Sequence, residues 1–146
     1  MRYSQGIFTP KNLNKYAGKG AIKYRSSWEL AFMSFCDNHP SIIHWASESI
    51  SIPYYNPIKG RNTNYIPDFF VVYQDAKGNR RAELVEIKPS KETTMEAAGR
   101  SAHNQLMAVT NQAKWAAANA WCKQNQINFR VITEHDMFAN TKKKKR

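Results

Sequence analysis

An α/β domain, with a mixed central β-sheet flanked by helices, is the fold class this sequence predicts. Three observations carry that expectation. Two apolar runs, 68–74 and 80–88, flank Asp75-Ala76-Lys77-Gly78-Asn79 and read as a β-hairpin. Helix-spaced apolar residues occupy a segment on either side of it, and a short apolar run follows the second of these. The resulting order is helix, strand, strand, strand, helix, strand. A chain of 146 residues, 42% hydrophobic, is long enough to bury a core of that kind and is expected to form one domain over residues 1–141.

Each element has its own local reason. Residues 1–23 mix Gly, Pro, Asn, Lys and Tyr without a sustained period, which predicts an irregular basic arm. Tyr16, Lys19, Lys23, Tyr24 and Arg25 could follow a phosphate backbone, or the arm could pack over the core by its aromatics. From 26 to 37, Trp28, Ala31, Phe32, Phe35 and Cys36 recur at helical spacing until His39-Pro40 ends the run. A strand is expected over 48–54, where Ile50 and Ile52 alternate with serines, and Pro53 and Pro57 interrupt it. Residues 102–123 predict a long helix with a narrow buried stripe of Leu106, Val109, Ala113, Ala116 or Ala117, and Ala120. A last strand is expected over 128–133, and Trp115 and Trp121 are expected to pack in the core.

Charge and composition narrow the function. The 22 Lys and Arg against 11 Asp and Glu give a net charge of +11, which favours a polyanionic partner such as nucleic acid. The run 142–146 is five consecutive cations, expected to be a disordered arm or an artificial end. No apolar run approaches the roughly 20 residues that cross a bilayer, and the first residues lack a secretory h-region, so a protein that is neither membrane-bound nor secreted is expected. Cys36 and Cys122 lie far apart without metal-ligand spacing and read as buried reduced thiols. His39, His44, His103 and His135 form no ligand pattern either.

Carboxylates are scarce, which makes those at the ends of apolar strands informative. If the hairpin turns through a three-residue loop with Gly78 left-handed, opposed residues sum to 154 and Asp68 stands across from Glu86. Lys88, two residues beyond Glu86, shares its face. A slip of one residue would send Asp68 to the other face. In the 154 register the two acids can offer oxygens to a hard cation such as Mg²⁺, with the Ile87 carbonyl as a further donor and water completing the shell. Lys88 would orient an attacking water or stabilise charge on phosphorus.

Pro67-Asp68, a hairpin's length of chain and Glu86-Ile87-Lys88 resemble the PD-(D/E)xK nuclease superfamily. Ser47-Glu48 before Ile-Pro-Tyr is similar to its TnsA-like branch. The opening Met-Arg-Tyr-Ser-Gln-Gly-Ile-Phe-Thr-Pro, with Tyr24-Arg25-Ser26-Ser27-Trp28-Glu29 and Asn111-Gln112-Ala113-Lys114-Trp115, resembles the head-completion nucleases of T4-like tailed phages.

The resemblance implies a restriction-endonuclease-like core and a deoxyribonuclease using Mg²⁺, with Mn²⁺ able to substitute. It implies catalytic roles for Asp68, Glu86 and Lys88. Glu29 would be an additional acid from the helix, acting directly or through water, and Gln112 and Lys114 would contact DNA. It further implies double-stranded DNA as substrate, portal or neck proteins as partners, and a place in the host cytoplasm or the virion.

Simpler readings stand beside these. Asp68 could merely start a strand, and Glu86 with Lys88 could be a surface ion pair. Ser26-x-x-Glu29 fits a capping box in which Glu29 bonds the Ser26 amide. Glu48 could simply head a strand. The whole protein could be a non-catalytic DNA-binding or portal-connector part that keeps a nuclease fold, or a nuclease of another purpose, such as a junction resolvase.

Overall fold

The computed structural model describes residues 3–137, so the basic run 142–146 lies outside the described residues. Its centre is a four-stranded sheet in the order β3-β6-β7-β8, built from β3 (Ile42–Ser47), β6 (Phe69–Gln74), β7 (Arg80–Ile87) and β8 (Asn128–Ile132). The β3/β6 and β6/β7 pairs are antiparallel and β7/β8 is parallel, which makes the sheet mixed as expected. With α1 (Ser27–Asn38) before β3, and the one-turn α2 (Met95–Ala98) and the long α3 (Ala102–Gln124) between β7 and β8, the core follows the helix, strand, strand, strand, helix, strand order.

Strand alternation sorts the sheet's two faces. Phe69, Val71, Val85, Ile87 and Ile132 pack with Phe32, Met33 and Cys36 of α1. Leu84, with Phe70, Phe129 and Val131 at its margin, packs with Trp115, Ala118 and Cys122 of α3. Both cysteines are buried and free, and burial pushes the Cys36 thiol up to about 12 and the Cys122 thiol to about 11, which keeps them protonated and inert.

The β6/β7 register is the expected one: Phe70 pairs with Leu84 and Val72 with Ala82. Asp75 and Asn79 close the turn, Gly78 takes φ +83°, and the Asp75 carboxylate accepts the Lys77 and Asn79 amides. Only glycine adopts that backbone without steric cost, so Gly78 sets the pairing.

Three expectations are corrected. Residues 3–23 are not an irregular arm: β1 (Tyr3–Phe8) and β2 (Ile22–Ser26) pair antiparallel, joined through a 3-10 turn at Leu13–Lys15. The buried Asp37 at the end of α1 explains the order. Its carboxylate accepts the Lys11 and Asn12 amides at 2.8 and 2.9 Å, and its carbonyl accepts from Asn12 and from Lys15 Nζ.

Second, no strand spans 48–54. Glu48 has φ +50° and separates β3 from β4 (Ile52–Asn56), which pairs with β5 (Arg61–Tyr65) in its own two-stranded sheet. A left-handed residue cannot continue a ladder, so the chain leaves the central sheet there.

Third, α3 buries Ala108, Asn111, Trp115, Ala118 and Cys122, while Leu106 is 52% exposed. The large Trp115 ring sets the rotation of the helix more strongly than the alanines do. Trp115 is a core residue as expected, and Trp121 packs at the core's margin.

Replacing Asp37 with Ala removes a buried carboxylate that accepts the Lys11 and Asn12 amides and is expected to cost about 2 kcal/mol. Urea denaturation measures the loss. Hydrogen exchange should show it concentrated in β1 and β2, and uniform protection across the fold would contradict the anchoring role.

Candidate active site

The site sits at the end of the central sheet where β7 leaves its partners. Asp68 precedes β6 directly, and its Oδ2 accepts the Ile87 amide at 2.8 Å. In return the Asp68 amide donates to Glu86 Oε1 at 3.2 Å. Each acid therefore caps backbone beside the other, and the last rung of the hairpin is made by side chains. Glu86 shares the parity of Leu84 and turns toward the α3 side, and Lys88 follows on the same face with Nζ 3.8 Å from Glu86 Oε2. The Lys88 amide continues the parallel ladder by donating to the Ile132 carbonyl, which fixes the backbone that carries it.

A cleft of about 480 Å³ opens over this end of the sheet, lined among others by Arg25, Glu29, Asp68, Lys88 and His103. Glu29 reaches it from the first turn of α1. Ser26 caps that helix by accepting the Glu29 amide at 3.1 Å, and the Glu29 carboxylate accepts the Arg25 amide at 3.3 Å. The capping arrangement and the cleft position therefore coexist, with the Arg25 amide in the place expected of the Ser26 amide. Burial raises the Glu29 carboxyl above its ordinary range, against the pull of Arg25.

The electrostatics are those of two acids forced together. Glu86 is 4% exposed. Burial raises the Glu86 carboxyl, although Lys88, Tyr65 and Lys114 work in the opposite direction. Burial and then repulsion from Glu86 hold Asp68 well above the usual range, with the Ile87 amide opposing. A pair that resists double ionisation and offers only hard oxygens suits a small divalent cation, whose charge removes the repulsion. Among the described residues no group of three or more His, Cys, Asp and Glu gathers at a common point. The donor set is thus two acids, to be completed by water and backbone, with Glu29 across the cleft.

Tyr65 carries no signal in the sequence, because an aromatic at a strand end reads as ordinary core. Burial and the Glu86 carboxylate push its hydroxyl up, so it remains a donor facing that acid. The hydroxyl stands between the Glu86 carboxylate and the Trp115 side chain, close enough to interact with both although outside tight hydrogen-bond geometry. Lys114 reaches the same corner, its Nζ 5.5 Å from the Tyr65 ring centre, and burial with the nearby Lys88 lowers its pKa.

The remaining sequence candidates divide. Arg25 lines the cleft but is engaged in an ion pair with Glu48, whose amide donates to the Asp68 carbonyl at 3.0 Å. Glu48 therefore supports the site's backbone rather than heading a strand. Lys19 and Lys23 are exposed on the β1/β2 unit and do not line the cleft. Gln112 donates its side-chain amide to the Thr93 carbonyl and fastens α3 to the segment after β7.

Comparison with known proteins places these observations. The family model described as TnsA-like endonuclease N terminal matches residues 39–134. That stretch contains Asp68, Glu86 and Lys88, and the mixed sheet with its flanking helices fits the restriction-endonuclease-like fold. The chain is also 36% identical to the head completion nuclease of Enterobacteria phage T4 over 149 residues, covering 95% of this chain and 96% of that protein. Glu29 lies outside the matched family segment but inside the span shared with the phage protein.

Because Asp68 and Glu86 hold protons more tightly folded than unfolded, protonation favours the folded state. Their contribution is fully present below the ordinary carboxylate range and is lost as pH rises through the raised folded values. In chelator, the wild-type melting temperature should fall across that window. Asp68→Asn keeps an acceptor for the Ile87 amide and removes the repulsion, so it should flatten the fall and melt higher at neutral pH. Parallel pH curves for the two proteins would contradict this electrostatic account.

Proposed function

This chain belongs to the TnsA-like endonuclease family, and from that premise we propose that it is a divalent-metal-dependent deoxyribonuclease hydrolysing phosphodiester bonds of double-stranded DNA. The observation that carries the reading is the convergence of Asp68, Glu86 and Lys88 at one sheet end, with both acids raised and the ammonium 3.8 Å from Glu86. In this reading Asp68 and Glu86 hold the ion, with the Ile87 carbonyl as a further donor and Glu29 acting through water. Mg²⁺ is the natural occupant, and Mn²⁺, with the same preference for oxygen, substitutes for it. When bound, such an ion supplies positive charge to the phosphate and makes water more acidic.

The chain's own residues supply the rest. Hydrolysis forms a bond from water oxygen to phosphorus and breaks the ester bond to the leaving oxygen, with charge accumulating on the phosphoryl oxygens between. Lys88 lies beside that charge, its backbone held in the β7/β8 ladder and its ammonium drawn to the site by Glu86, so it is placed to stabilise the transition state. Tyr65 keeps Glu86 oriented, while Glu29, partly shielded at the mouth of α1, orients water. Lys114 adds a second ammonium on the α3 side, suited to a neighbouring phosphate. The phage relative's name supports a setting for this activity, the processing of DNA when a filled head is completed. Portal or neck proteins are the partners that such a setting brings within reach.

Incubation with linear, circular and branched DNA tests the proposal. Cleavage should require Mg²⁺ or Mn²⁺ and stop in EDTA. Lys88→Ala should lower the single-turnover rate by about 10²–10³-fold while leaving DNA affinity nearly unchanged. Chelator-resistant cleavage, or a Lys88→Ala protein as fast as the wild type, would refute the assignment.

A further inference from the structure

The eleven acidic residues are unevenly spread: none occurs in 1–28, none in 49–67 and, along α3 to β8, none in 97–133. The first stretch contains the β1/β2 unit, the second the β4/β5 hairpin. The two pack on opposite faces of the central sheet, through Ile22 with the α1 cluster and through Ile52, Tyr54 and Tyr65 with the α3 cluster.

The β4/β5 hairpin has two chemically different faces. Ile52, Tyr54 and Tyr65 are buried against α3. Pro53 pairs with Asn64 and Tyr55 with Asn62, and these four are exposed together on the other face. Tyr55 is 57% exposed there, and Ile58 at the tip 48%. The tip is rigid: the buried Asn56 accepts the Ile58 and Lys59 amides through Oδ1 at 2.9 and 3.0 Å, and its carbonyl accepts the Gly60 amide at 2.8 Å. Lys59 and Arg61 stand at that tip, and the pairing of Arg61 with the buried Asn56 puts it at the hairpin's end rather than on the outward face. Lys59 lies near enough to Lys114 to contribute to the lowering of its pKa, so the tip and α3 bring cations together on the α3 side of the hairpin.

An exposed ring beside two side-chain amides, on a hairpin with two cations at its end and no acid, matches the chemistry of an unpaired nucleic acid strand. The ring stacks on a base, the amides meet base edges and the cations meet phosphates. A fully paired duplex hides the base faces that Tyr55 would use. We propose that the outward face of β4/β5 is a platform for a single-stranded segment of the DNA substrate beside the cleft. The proposal rests on the nuclease reading for the identity of its ligand. It makes the preferred substrate a duplex with an unpaired arm rather than a blunt one.

Binding measured in EDTA tests the platform apart from catalysis. Fluorescence anisotropy compares a blunt duplex with the same duplex carrying a single-stranded extension of about ten nucleotides. The wild type should bind the extended DNA at least about five-fold more tightly. Tyr55→Ala, at an exposed site, should fold normally and lose that preference while keeping its blunt-duplex affinity. Arg61→Ala should reduce the salt slope for the extended DNA by about 0.7 and leave the blunt-duplex slope in place. Equal wild-type affinity for the two DNAs, or a preference that survives Tyr55→Ala, overturns the proposal, as does a Tyr55→Ala loss shared by both. Were the face a protein-docking surface instead, Tyr55→Ala would leave both affinities intact, which also overturns it. Failure of the wild type to cleave in Mg²⁺ would strike the nuclease reading and leave these binding results to stand or fall alone.

Discussion

The Ile87 amide donates to Asp68 and the Asp68 amide donates to Glu86, and the arrangement of the sheet end depends on that exchange. It holds two carboxylates side by side where backbone pairing has stopped, each fixed by a bond to the chain beside the other. The bond from the Ile87 amide, at 2.8 Å, is the shorter of the two. The two bonds also make proximity expensive, since both acids are raised by burial and Asp68 further by Glu86. The site is therefore strained electrostatically while geometrically well defined, a combination suited to gripping a cation rather than to stabilising the bare protein.

The rest of the architecture serves that sheet end. Helix α1 buries one face of the sheet and presents Glu29 at its N-terminal turn, while α3 buries the other and presents Lys114 beside Tyr65. The segment after β7 is tied back by Gln112 and Asn111 of α3 to the Thr93 and Glu92 carbonyls, and by its own Ser90 amide to Glu134. Acid-free hairpins stand on the two faces, and the cleft is lined by Glu29, Asp68 and Glu92 among the cations Arg25, Lys88 and Lys91. A polyanion is drawn to the rim, and the acids at the centre meet it with a cation between in the proposed mechanism.

Gly78 and the alternation of the flanking runs made the central hairpin legible, and with it the apposition of Asp68 and Glu86. Ser26 and Glu29 likewise announced the start of α1. What escaped notice depended on contacts distant in sequence. The order of the N-terminal residues comes from Asp37, some 25 positions away from Lys11 and Asn12. The β4/β5 hairpin was obscured by Pro53, Pro57 and a polar β5, whose pairing needs α3 as a support. The buried face of α3 was misphased because Trp115 and the wholly buried Asn111 outweigh the apolar but exposed Leu106. Tyr65 gave no signal of its own, since only its placement over Glu86 distinguishes it from other core aromatics.

The central claim is that Asp68 and Glu86 jointly hold a divalent ion, and Mn²⁺ titration followed by electron paramagnetic resonance measures this without DNA or turnover. The wild type should remove free Mn²⁺ from solution at neutral pH, while Asp68→Asn and Glu86→Gln should each lose most of that binding and remain folded. Identical binding curves for the wild type and Asp68→Asn, or a wild type that takes up no ion at millimolar concentration, would contradict it.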